Sequence, residues 1–547
     1  MQAIKNAIKT ALEKEGISEP VVVLEHTADF SHGDYASNAA MQYAKELKTN
    51  PRVLAEKLVA AFGEIDGVAR VDVAGPGFIN FMLASEYLYG ALEDGRVRNE
   101  EWGGNARLRN KKIMVEYTDP NPFKEFHIGH LMSNAIGESI ARLHDFSSAD
   151  VLRANWQGDV GPHVAKAIWG KMQKPDLRWG EAYTYGAQEY EANKEAIDAI
   201  NKNVYDKSDD DINRLYKEGR TESLAHFEEI YKVLGTTFDY YFFEGTEGLE
   251  GKAIVEEQLK KGIFEESDGA VIFPGEKYDL HTRVFLTSQK LPTYEAKELG
   301  LNKAKFEKEP DLDLSIVITA NEQTDYFRVV LRAISLIFPT IAEKTRHVAH
   351  GMMRFAEGKM SSRKGNVITG QSLLNDLVDV AKVRAAESRA EDKERLARDV
   401  AVAAIKFQVL KGAASKDIIF DRDRALSVDG DSGPYLQYTH ARTCAIVEKA
   451  KEAGVTATFD AHAEASELVR LIYRFHEVVL RAQEELEPHH VANYLITVAA
   501  AFNSWYASEQ ILDGTQDAAH KVALTDITRI TLKNGLWLLG IPAPKKM

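Results

Sequence analysis

The pattern of apolar and polar residues changes along the chain. Over residues 1–104, helical patterns alternate with strand-like runs such as VVVLEH and VARVDVAGPGFINFML. Residues 112–160 give strand, helix and strand in the runs KIMVEYT, HIGHLMSNAIGESIARL and DVLRANW. This order predicts a βαβ unit, and therefore a parallel sheet with a right-handed crossover.

Beyond that unit, residues 165–250 are mostly polar and helical, and strand-like runs return in GAVIF, RVFLTS, LSIVITAN and RHVAHGM. After residue 395 the strand patterns stop, and apolar residues recur at helical spacing. We therefore predict an α/β protein with three domains. They are a small N-terminal α/β domain (1–104), a doubly wound parallel-sheet, Rossmann-type domain (105–395) with a helical insertion near 165–250, and a C-terminal all-α bundle (396–547).

Composition narrows the class of protein. The chain has 547 residues, too many for one core, and its net charge of −15 argues against a protein that coats nucleic acid by bulk charge. A local basic surface could still bind RNA. The single cysteine, Cys444, excludes an internal disulfide framework and a cysteine-based zinc site. No apolar run is long enough to span a membrane, and the N-terminal helix carries both charge signs, so we expect a cytoplasmic protein.

The stretch TDPNPFKEFHIGHL opens the helix of the βαβ unit. Pro120 and Pro122 keep the chain extended, so His127 and His130 fall at the helix N-terminus, at the sheet edge where ligands bind. A helix N-terminus favours anions, and two imidazoles there can donate hydrogen bonds to phosphate. Gly129 lets a flat ring approach the backbone closely. Each histidine could equally be a local cap or a core residue.

A second stretch, EGKMSSRKGN at 357–366, is a glycine-flanked loop that carries Lys359, Arg363 and Lys364. Such a loop can fold over a polyphosphate and neutralise its charge. Alone, a short basic loop is as readily a surface turn, and its glycine spacing is not that of a Walker A sequence. The two stretches together are more specific than either one.

HIGH at 127–130 and KMSSR at 359–363 resemble the two signature sequences of class I aminoacyl-tRNA synthetases. Where that signature carries a second lysine the chain has Ser362, so Arg363 or Lys364 would supply the charge. Stretches that resemble arginyl-tRNA synthetases are VEYTDPNPFKEFHIGHL, NWQGDVGPHVAK, ESDGAVIF, GKMSSRKGN, GPYLQYTHAR and LLGIPAPKKM. HGDYASNAAMQYAKELKTNPRVLAEKL and GPGFINFML resemble that family's N-terminal domain, so the resemblance covers nearly the whole chain.

The resemblance implies a two-step reaction. Arginine is activated by ATP to arginyl-adenylate, and the arginyl group passes to the 2′-hydroxyl of the terminal adenosine of tRNA(Arg). ATP is expected as a substrate with Mg²⁺, without protein-bound zinc, and the protein is expected to be a monomer that needs its tRNA for activation. The Rossmann-type domain would be catalytic, the helical bundle would bind the anticodon, and the N-terminal domain would contact the tRNA elbow.

The resemblance also assigns site residues. The ATP-binding residues would be His127, Gly129, His130, Lys359, Met360 and Ser361. Of these, His127, His130 and Lys359 would be catalytic. The arginine-binding residues would be Glu116, Asp119, Pro120, Asn121, His130, Tyr294, Glu298 and Gln323.

The chemistry of arginine supports the choice of pocket residues. A guanidinium is planar and has five N–H donors, so its recognition requires carboxylates and a flat partner. Tyr294 and Glu298 are one helical turn apart and can share one face of a helix. Glu298 stands where the family usually carries aspartate, and Glu116 is a further acidic candidate. A tyrosine and a glutamate at this spacing are also common as a surface pair.

Candidate RNA-binding residues in the C-terminal bundle are Tyr435, Tyr438, His440 and Arg442. Aromatic rings and arginine planes suit the splayed bases of an anticodon loop, although Tyr435 could instead pack the bundle.

Three other functions compete with this interpretation. A small-molecule nucleotidyltransferase also uses His-x-Gly-His at a helix start, but it is usually shorter and lacks a large helical C-terminal domain. A non-catalytic relative would be expected to lose His127, His130 or Lys359, and all three are present. Another class I specificity is disfavoured by the acidic pocket.

Overall fold

The computed structural model describes residues 1–355, 369–515 and 517–547. Packing divides the chain into two compact units. The first unit contains residues 1–103, 443–476 and 497–532. The second contains residues 104–442, 477–496 and 533–547. These units are defined by packing, whereas the three predicted domains are segments of sequence, so the predicted boundaries stay a prediction.

Strands and helices account for most of the described chain. The strands are β1 Glu25–His26, β2 Tyr35–Ser37, β3 Val68–Ala74, β4 Phe78–Leu83, β5 Lys112–Glu116, β6 Asp150–Gln157, β7 Tyr240–Phe243, β8 Glu265–Ser267, β9 Ala270–Phe273, β10 Arg283–Leu286, β11 Leu314–Ala320, β12 Thr345–His350, β13 Met353–Phe355 and β14 Ile418–Phe420. The first helices are α1 Gln2–Lys14, α2 Ala39–Tyr43, α3 Pro51–Ala61, α4 Ser85–Arg98, α5 Ile128–Asp145, α6 Pro162–Gln173, α7 Trp179–Gln188, α8 Lys194–Asp206, α9 Asp210–Leu234 and α10 Glu244–Lys260. The later helices are α11 Tyr294–Lys308, α12 Thr324–Ile337, α13 Pro339–Glu343, α14 Gly370–Ala385, α15 Lys393–Leu410, α16 Arg422–Ala425, α17 Gly433–Glu452, α18 Glu467–Tyr473, α19 Phe475–Glu485, α20 His489–Ser508 and α21 Ala518–Leu538. None of the described helices is long and apolar enough to cross a lipid bilayer.

The second unit is built around a five-stranded sheet in the order β12-β11-β5-β6-β7. All four strand pairs are parallel. The first strand of this sheet along the chain is the central strand β5. Strands β6 and β7 follow on one side of it, and β11 and β12 come later on the other side. This is the doubly wound topology that the sequence predicts, and its direction reverses between β5 and β11. Ligands of such sheets bind at the carboxyl ends of the strands on either side of that reversal.

Several strand predictions are wrong in detail. GAVIF and RVFLTS form the predicted strands β9 and β10, but these lie outside the parallel sheet and pair antiparallel with each other in a separate sheet with β8. VVVLEH yields only β1, because Val21 and Val23 are exposed and their alternation does not reflect burial. Strands do not stop at residue 395, since β14 pairs with β13. Both β14 and the unpredicted β7 are too short to give a clear periodicity.

Helix α5 follows β5 and is buried on all sides. Met132, Ile136, Ile140 and Leu143, the predicted sheet-facing residues, are all buried. The helix also buries Glu138, whose carboxylate accepts hydrogen bonds from the three surrounding side chains Arg142 (2.6 Å), Tyr117 (2.5 Å) and Arg153 (3.3 Å). These hydrogen bonds satisfy the buried carboxylate, and those from Tyr117 and Arg153 hold α5 against β5 and β6.

The first unit contains an antiparallel sheet in the order β1-β2-β4-β3. Just before β2, Asp34 Oδ2 accepts a hydrogen bond from the amide of Leu83 (2.7 Å). The same oxygen lies 2.5 Å from the guanidinium of Arg470, and both charged residues are buried. Trp102 donates to the hydroxyl of Thr531 at 3.0 Å. Residues that are distant in sequence therefore complete this unit.

We expect Arg470→Met to destabilise the first unit by about 3–5 kcal/mol, because Asp34 would remain buried without its counter-ion. Urea unfolding and hydrogen exchange of the β2 and β4 amides would measure the loss. Arg70→Met is the control, because the Arg70–Asp72 pair is more than half exposed and should contribute less than about 1 kcal/mol. Equal effects of the two substitutions would contradict the assignment.

Candidate active site

The His-Gly-His stretch forms the start of α5. His127 is the N-cap residue, and its amide donates to Nδ1 of His130 at 3.1 Å. The two rings stack with centroids 3.5 Å apart. A Cβ on Gly129 would lie 3.1 Å from the His127 ring, so this position favours glycine. The flat ring that approaches the backbone of Gly129 is therefore that of His127 itself.

Both imidazoles are neutral donors at neutral pH. Burial, and then the neighbouring His127 and Lys124, hold the pKa of His130 well below its usual value. Burial and then Lys124 also lower the pKa of His127. Because Nδ1 of His130 accepts a hydrogen bond, the proton of the neutral ring is on Nε2. The pair can therefore donate hydrogen bonds to an anion without carrying charge.

The loop between β5 and α5 is held in an unusual conformation. Thr118 and Asp119 have φ angles of 79° and 47°, in the left-handed region that L-residues seldom adopt. The amide of Thr118 donates to Ser133 Oγ at 2.9 Å, and Asn134 donates to the Thr118 hydroxyl at 3.0 Å. Asp119 Oδ1 accepts from the amide of Trp156 at 2.7 Å. Contacts to α5 and β6 thus stabilise a strained turn beside the end of the central strand.

A cavity of about 500 Å³ opens next to this turn, at the carboxyl ends of β5 and β11. Its lining residues are Glu116, Asp119, Asn121, Trp156, Gly158, Glu244, Arg283, Tyr294, Glu298, Thr319, Glu322, Gln323, Tyr326 and Phe327. The structure therefore brings together the predicted arginine-binding residues Glu116, Asp119, Asn121, Tyr294, Glu298 and Gln323. Pro120 and His130 are buried and are not among the lining residues.

The cavity is acidic. Carboxylates line it from Glu116, Asp119, Glu244, Glu298 and Glu322, whereas Arg283 is the single cationic lining residue in the described chain. A cavity with this excess of carboxylates suits a cationic ligand.

Two of the carboxylates already have buried lysine partners. Glu116 Oε2 lies 2.5 Å from Nζ of Lys305, and Glu244 Oε2 lies 2.6 Å from Nζ of Lys297. Glu298 accepts a hydrogen bond from Asn302 (3.1 Å) instead. Burial, and then the charge of Glu116, raise the pKa of Glu298 to about 8. Burial, and then the charge of Glu116, also hold the pKa of Asp119 well above its usual value. An incoming cation would therefore favour the ionisation of both Glu298 and Asp119.

Aromatic side chains form one wall of the cavity. Tyr294 begins α11 and remains 60% exposed, and its carbonyl accepts from the hydroxyl of Tyr326 at 3.1 Å. Phe327 stacks on His347 with centroids 4.1 Å apart. Tyr294 and Glu298 line the same cavity, as their one-turn spacing on a helix predicts. The cavity thus offers a flat ring beside a carboxyl group.

Family models match nearly all of the chain. The model for the class I (R) tRNA synthetase catalytic domain matches residues 96–422. The arginyl tRNA synthetase N terminal domain matches residues 2–83, and the DALR anticodon binding domain matches residues 436–547. The chain belongs to the arginyl-tRNA synthetase family. This confirms the resemblance that the two signature stretches indicate.

Individual relatives agree with this assignment. The arginine–tRNA ligase of Clostridioides difficile is 30% identical over 565 residues, covering 100% of this chain and 99% of the relative. That of Fusobacterium nucleatum is 31% identical, covering 97% and 96%. The solved arginyl-tRNA synthetase of Thermus thermophilus matches with a TM-score of 0.82 and 25% identity over 100% of both chains. The Plasmodium falciparum enzyme matches at 0.79 with 21% identity over 100% and 99%, and so supports the fold. The predicted α/β fold class is confirmed.

Sequence reasoning missed part of the synthetase cavity. Trp156, Glu244 and Thr319 lie at or just after the carboxyl ends of β6, β7 and β11. The rule that ligands bind at this sheet edge could have identified them. Arg283 and Tyr326 come from the antiparallel sheet and from α12, and no pattern in their local sequence distinguishes them.

The predicted signature loop lies outside the described residues. Lys359, Met360 and Ser361, and the substitutes Arg363 and Lys364, all fall within 356–368, so their predicted roles stay predictions.

The predicted RNA-contacting residues all lie on α17, with different accessibility. Tyr438 is 41% exposed, and the guanidinium of Arg442 lies 5.0 Å from its ring centre. His440 is only 2% exposed, and its Nδ1 lies 3.0 Å from the carbonyl of Pro544. Tyr435 is half-buried. Tyr438 and Arg442 are thus better placed than His440 to meet a ligand at the surface.

We expect NMR of ¹⁵N-histidine-labelled protein to show His130 as the neutral Nε2–H tautomer at pH 7. Its signal, assigned by comparison with His130→Ala, should stay that of a neutral ring down to about pH 6, because its pKa lies well below the ordinary value of 6.5. Titration near pH 6.5, or protonation on Nδ1, would contradict the hydrogen-bond assignment.

Proposed function

We propose that the protein activates L-arginine with ATP to arginyl-adenylate and transfers the arginyl group to the 2′-hydroxyl of the terminal adenosine of tRNA(Arg). Membership of the arginyl-tRNA synthetase family supports this activity. The observation that carries it is the acidic cavity at the carboxyl ends of β5 and β11, which combines Glu298, Glu116 and the ring of Tyr294.

Arginine would enter this cavity with its side chain first. The planar guanidinium can donate to Glu298 and Glu116 while its face or edge contacts Tyr294. Asn121 and Gln323 have the amide groups needed to hold the amino and carboxylate ends of the substrate. Asp119, Pro120 and His130, also arginine-binding residues by resemblance, would shape the turn and helix start that border these ends.

The arginine carboxylate would attack the α-phosphorus of ATP and release pyrophosphate. His127 and His130 would donate hydrogen bonds to phosphate oxygens, and the N-terminus of α5 would add its dipole. Gly129 keeps this helix start open to ATP. Such a site accelerates the reaction by positioning and charge stabilisation, because the reacting groups themselves make and break the bonds.

The signature loop and Mg²⁺ would neutralise the remaining negative charge of the ATP phosphates. Lys359 would stabilise the departing pyrophosphate, with Met360 and Ser361 also contacting ATP. Mg²⁺ would accompany ATP, held mainly by phosphate oxygens and water. Where the structure is described, no group of three or more histidine, cysteine, aspartate or glutamate side chains is arranged to hold a metal ion.

The tRNA would contact all three predicted domains. We propose that residues 1–104 contact its elbow, that 105–395 receive its terminal adenosine, and that 396–547 bind its anticodon. Tyr438 and Arg442 would be the first candidates for anticodon contacts, with Tyr435 and His440 beside them. We propose a monomer that acts in the cytoplasm.

The decisive experiment is aminoacylation of bulk tRNA with each of the twenty amino acids. We expect arginine alone to be charged, and pyrophosphate exchange to depend on tRNA. Charging with another amino acid would contradict the specificity. Nucleotidyl transfer to a small molecule without any aminoacyl-tRNA would instead support the nucleotidyltransferase alternative.

We expect Glu298→Gln to lower kcat/KM for arginine by about two orders of magnitude, as when one partner of a buried charge pair is removed. Glutamine imitates the protonated carboxyl but cannot ionise against a guanidinium. Glu298→Asp should retain partial activity, because the charge remains on a shorter side chain. The control is Glu307→Gln on the exposed side of the same helix. Parental activity of Glu298→Gln would move the role to Glu116.

Arginine binding should depend on pH through Glu298. In the empty cavity the pKa of Glu298 is raised to about 8, and a bound guanidinium would lower it, so binding below that pH releases a proton. Affinity should therefore rise from about pH 6 and level off above about pH 8. Calorimetry in two buffers of different ionisation enthalpy measures the released proton. Release that persists in Glu298→Gln would assign the proton to another group.

A further inference from the structure

Lys305 is a buried lysine that the activity proposed above does not use. It lies on α11, seven residues or two turns after Glu298, and its side chain is 0% exposed. Its Nζ is 2.5 Å from Oε2 of Glu116, the carboxylate at the end of the central strand. Lys305 itself is not among the residues that line the cavity, so it stands behind Glu116.

The polar atoms around this pair are poorly satisfied. Within the described ranges, Lys305 Nζ, Glu116 Oε2 and Asn302 Oδ1 are buried without a hydrogen-bond partner. The lysine and the glutamate are at ion-pair distance, but their angles fall outside hydrogen-bond geometry. A buried ion pair of this kind seldom stabilises a fold more than well-packed apolar residues would. A contribution to folding stability therefore does not explain why the chain carries this ion pair. A role in the adjacent cavity is the better explanation.

Charge balance gives the pair a role. Glu244 is matched by Lys297, and Glu116 by Lys305, whereas Glu298 and Asp119 have hydrogen-bond partners without charge, the side-chain amide of Asn302 and the backbone amide of Trp156. A ligand cation can then meet Glu298 without having to neutralise Glu116 as well. Without Lys305, the ligand would have to serve both Glu116 and Glu298, or one of them would keep a proton.

We infer that Lys305 is a positioning residue for arginine: it neutralises and orients Glu116, so that the cavity takes up one guanidinium against Glu298. This inference rests on the proposed function of the cavity. Lys305 does not line the cavity, so it would act on the substrate only by changing the charge and orientation of Glu116.

The charged and titratable groups that face Glu298 are spread over five elements. They are Glu116 on β5, Asp119 in the following loop, Glu244 on α10, Lys305 on α11, and Tyr326 on α12. Burial and Glu116 raise the pKa of Glu298, whereas Lys305 lowers it. Removing the ammonium should therefore move the ionisation of Glu298 to higher pH.

The test measures arginine-dependent pyrophosphate exchange from pH 6 to 9, with tRNA present, in Lys305→Met. We expect kcat/KM at pH 7 to fall about tenfold or more, which corresponds to the loss of one charge-assisted hydrogen bond. We also expect the midpoint of the pH profile to move to higher pH. Lys303→Met is the control, because this lysine lies on the same helix and pairs at the surface. A loss of kcat/KM without a shift in midpoint would mean a structural role and would overturn the inference.

A double-mutant cycle separates the charge from the packing. In the Glu116→Gln background there is no carboxylate to neutralise, so Lys305→Met should then cost far less than it does in the parent. Equal costs in both backgrounds would overturn the inference. Lys305→Gln keeps a polar side chain and should show the same midpoint shift, so it serves if Lys305→Met folds poorly. Failure of the parent to charge arginine would reject the proposed function, whereas normal charging with an unshifted Lys305→Met profile would reject only this inference.

Discussion

The burial of Glu116 at the end of the central strand is the constraint on which the rest of the site depends. A carboxylate taken out of water needs a partner, and helix α11 supplies Lys305 at 2.5 Å. A lysine can be held there only because α11 is itself buried, with charged residues on its inward face. The same low exposure raises the pKa of the neighbouring Glu298 to about 8. The Glu116–Lys305 pair and part of the pKa shift of Glu298 therefore follow from the placement of Glu116.

The second part of the site follows from a different local constraint. His127 and His130 stack at the start of α5, and the amide of His127 donates to the ring of His130. Burial of His130 and partial desolvation of His127 lower the pKa values of both rings and keep them uncharged. Neutral donors at a helix N-terminus bind phosphate through directed hydrogen bonds and the helix dipole. The cation and the anion of the proposed reaction thus meet different electrostatic environments. In the proposed reaction, the acidic cavity would hold the arginine side chain, while the start of α5 would face the phosphates of ATP.

Much of the fold could be predicted because its elements are long and periodic. The order strand, helix, strand over 112–160 identifies β5, α5 and β6, and their parallel pairing is confirmed. The antiparallel placement of β9 and β10 could not be predicted, because strands of four residues carry no signal for their partner. The pairing of Tyr294 with Glu298 in one cavity follows from helical spacing alone. Lys305 is on the same helix, but nothing in its local sequence indicates that it is buried against Glu116.

The sequence by itself determined the class of fold, the family and the residues at the start of α5, since these depend on local periodicity and on two short signature stretches. Tertiary structure alone decided which carboxylates share a cavity, which of them have a lysine partner, and which histidine is buried. His440 illustrates the difference, because its helical spacing suits an exposed RNA contact, whereas its ring is buried against the carbonyl of Pro544. Burial and charge pairing depend on contacts between residues that are distant in the chain, so they cannot be predicted from the local sequence.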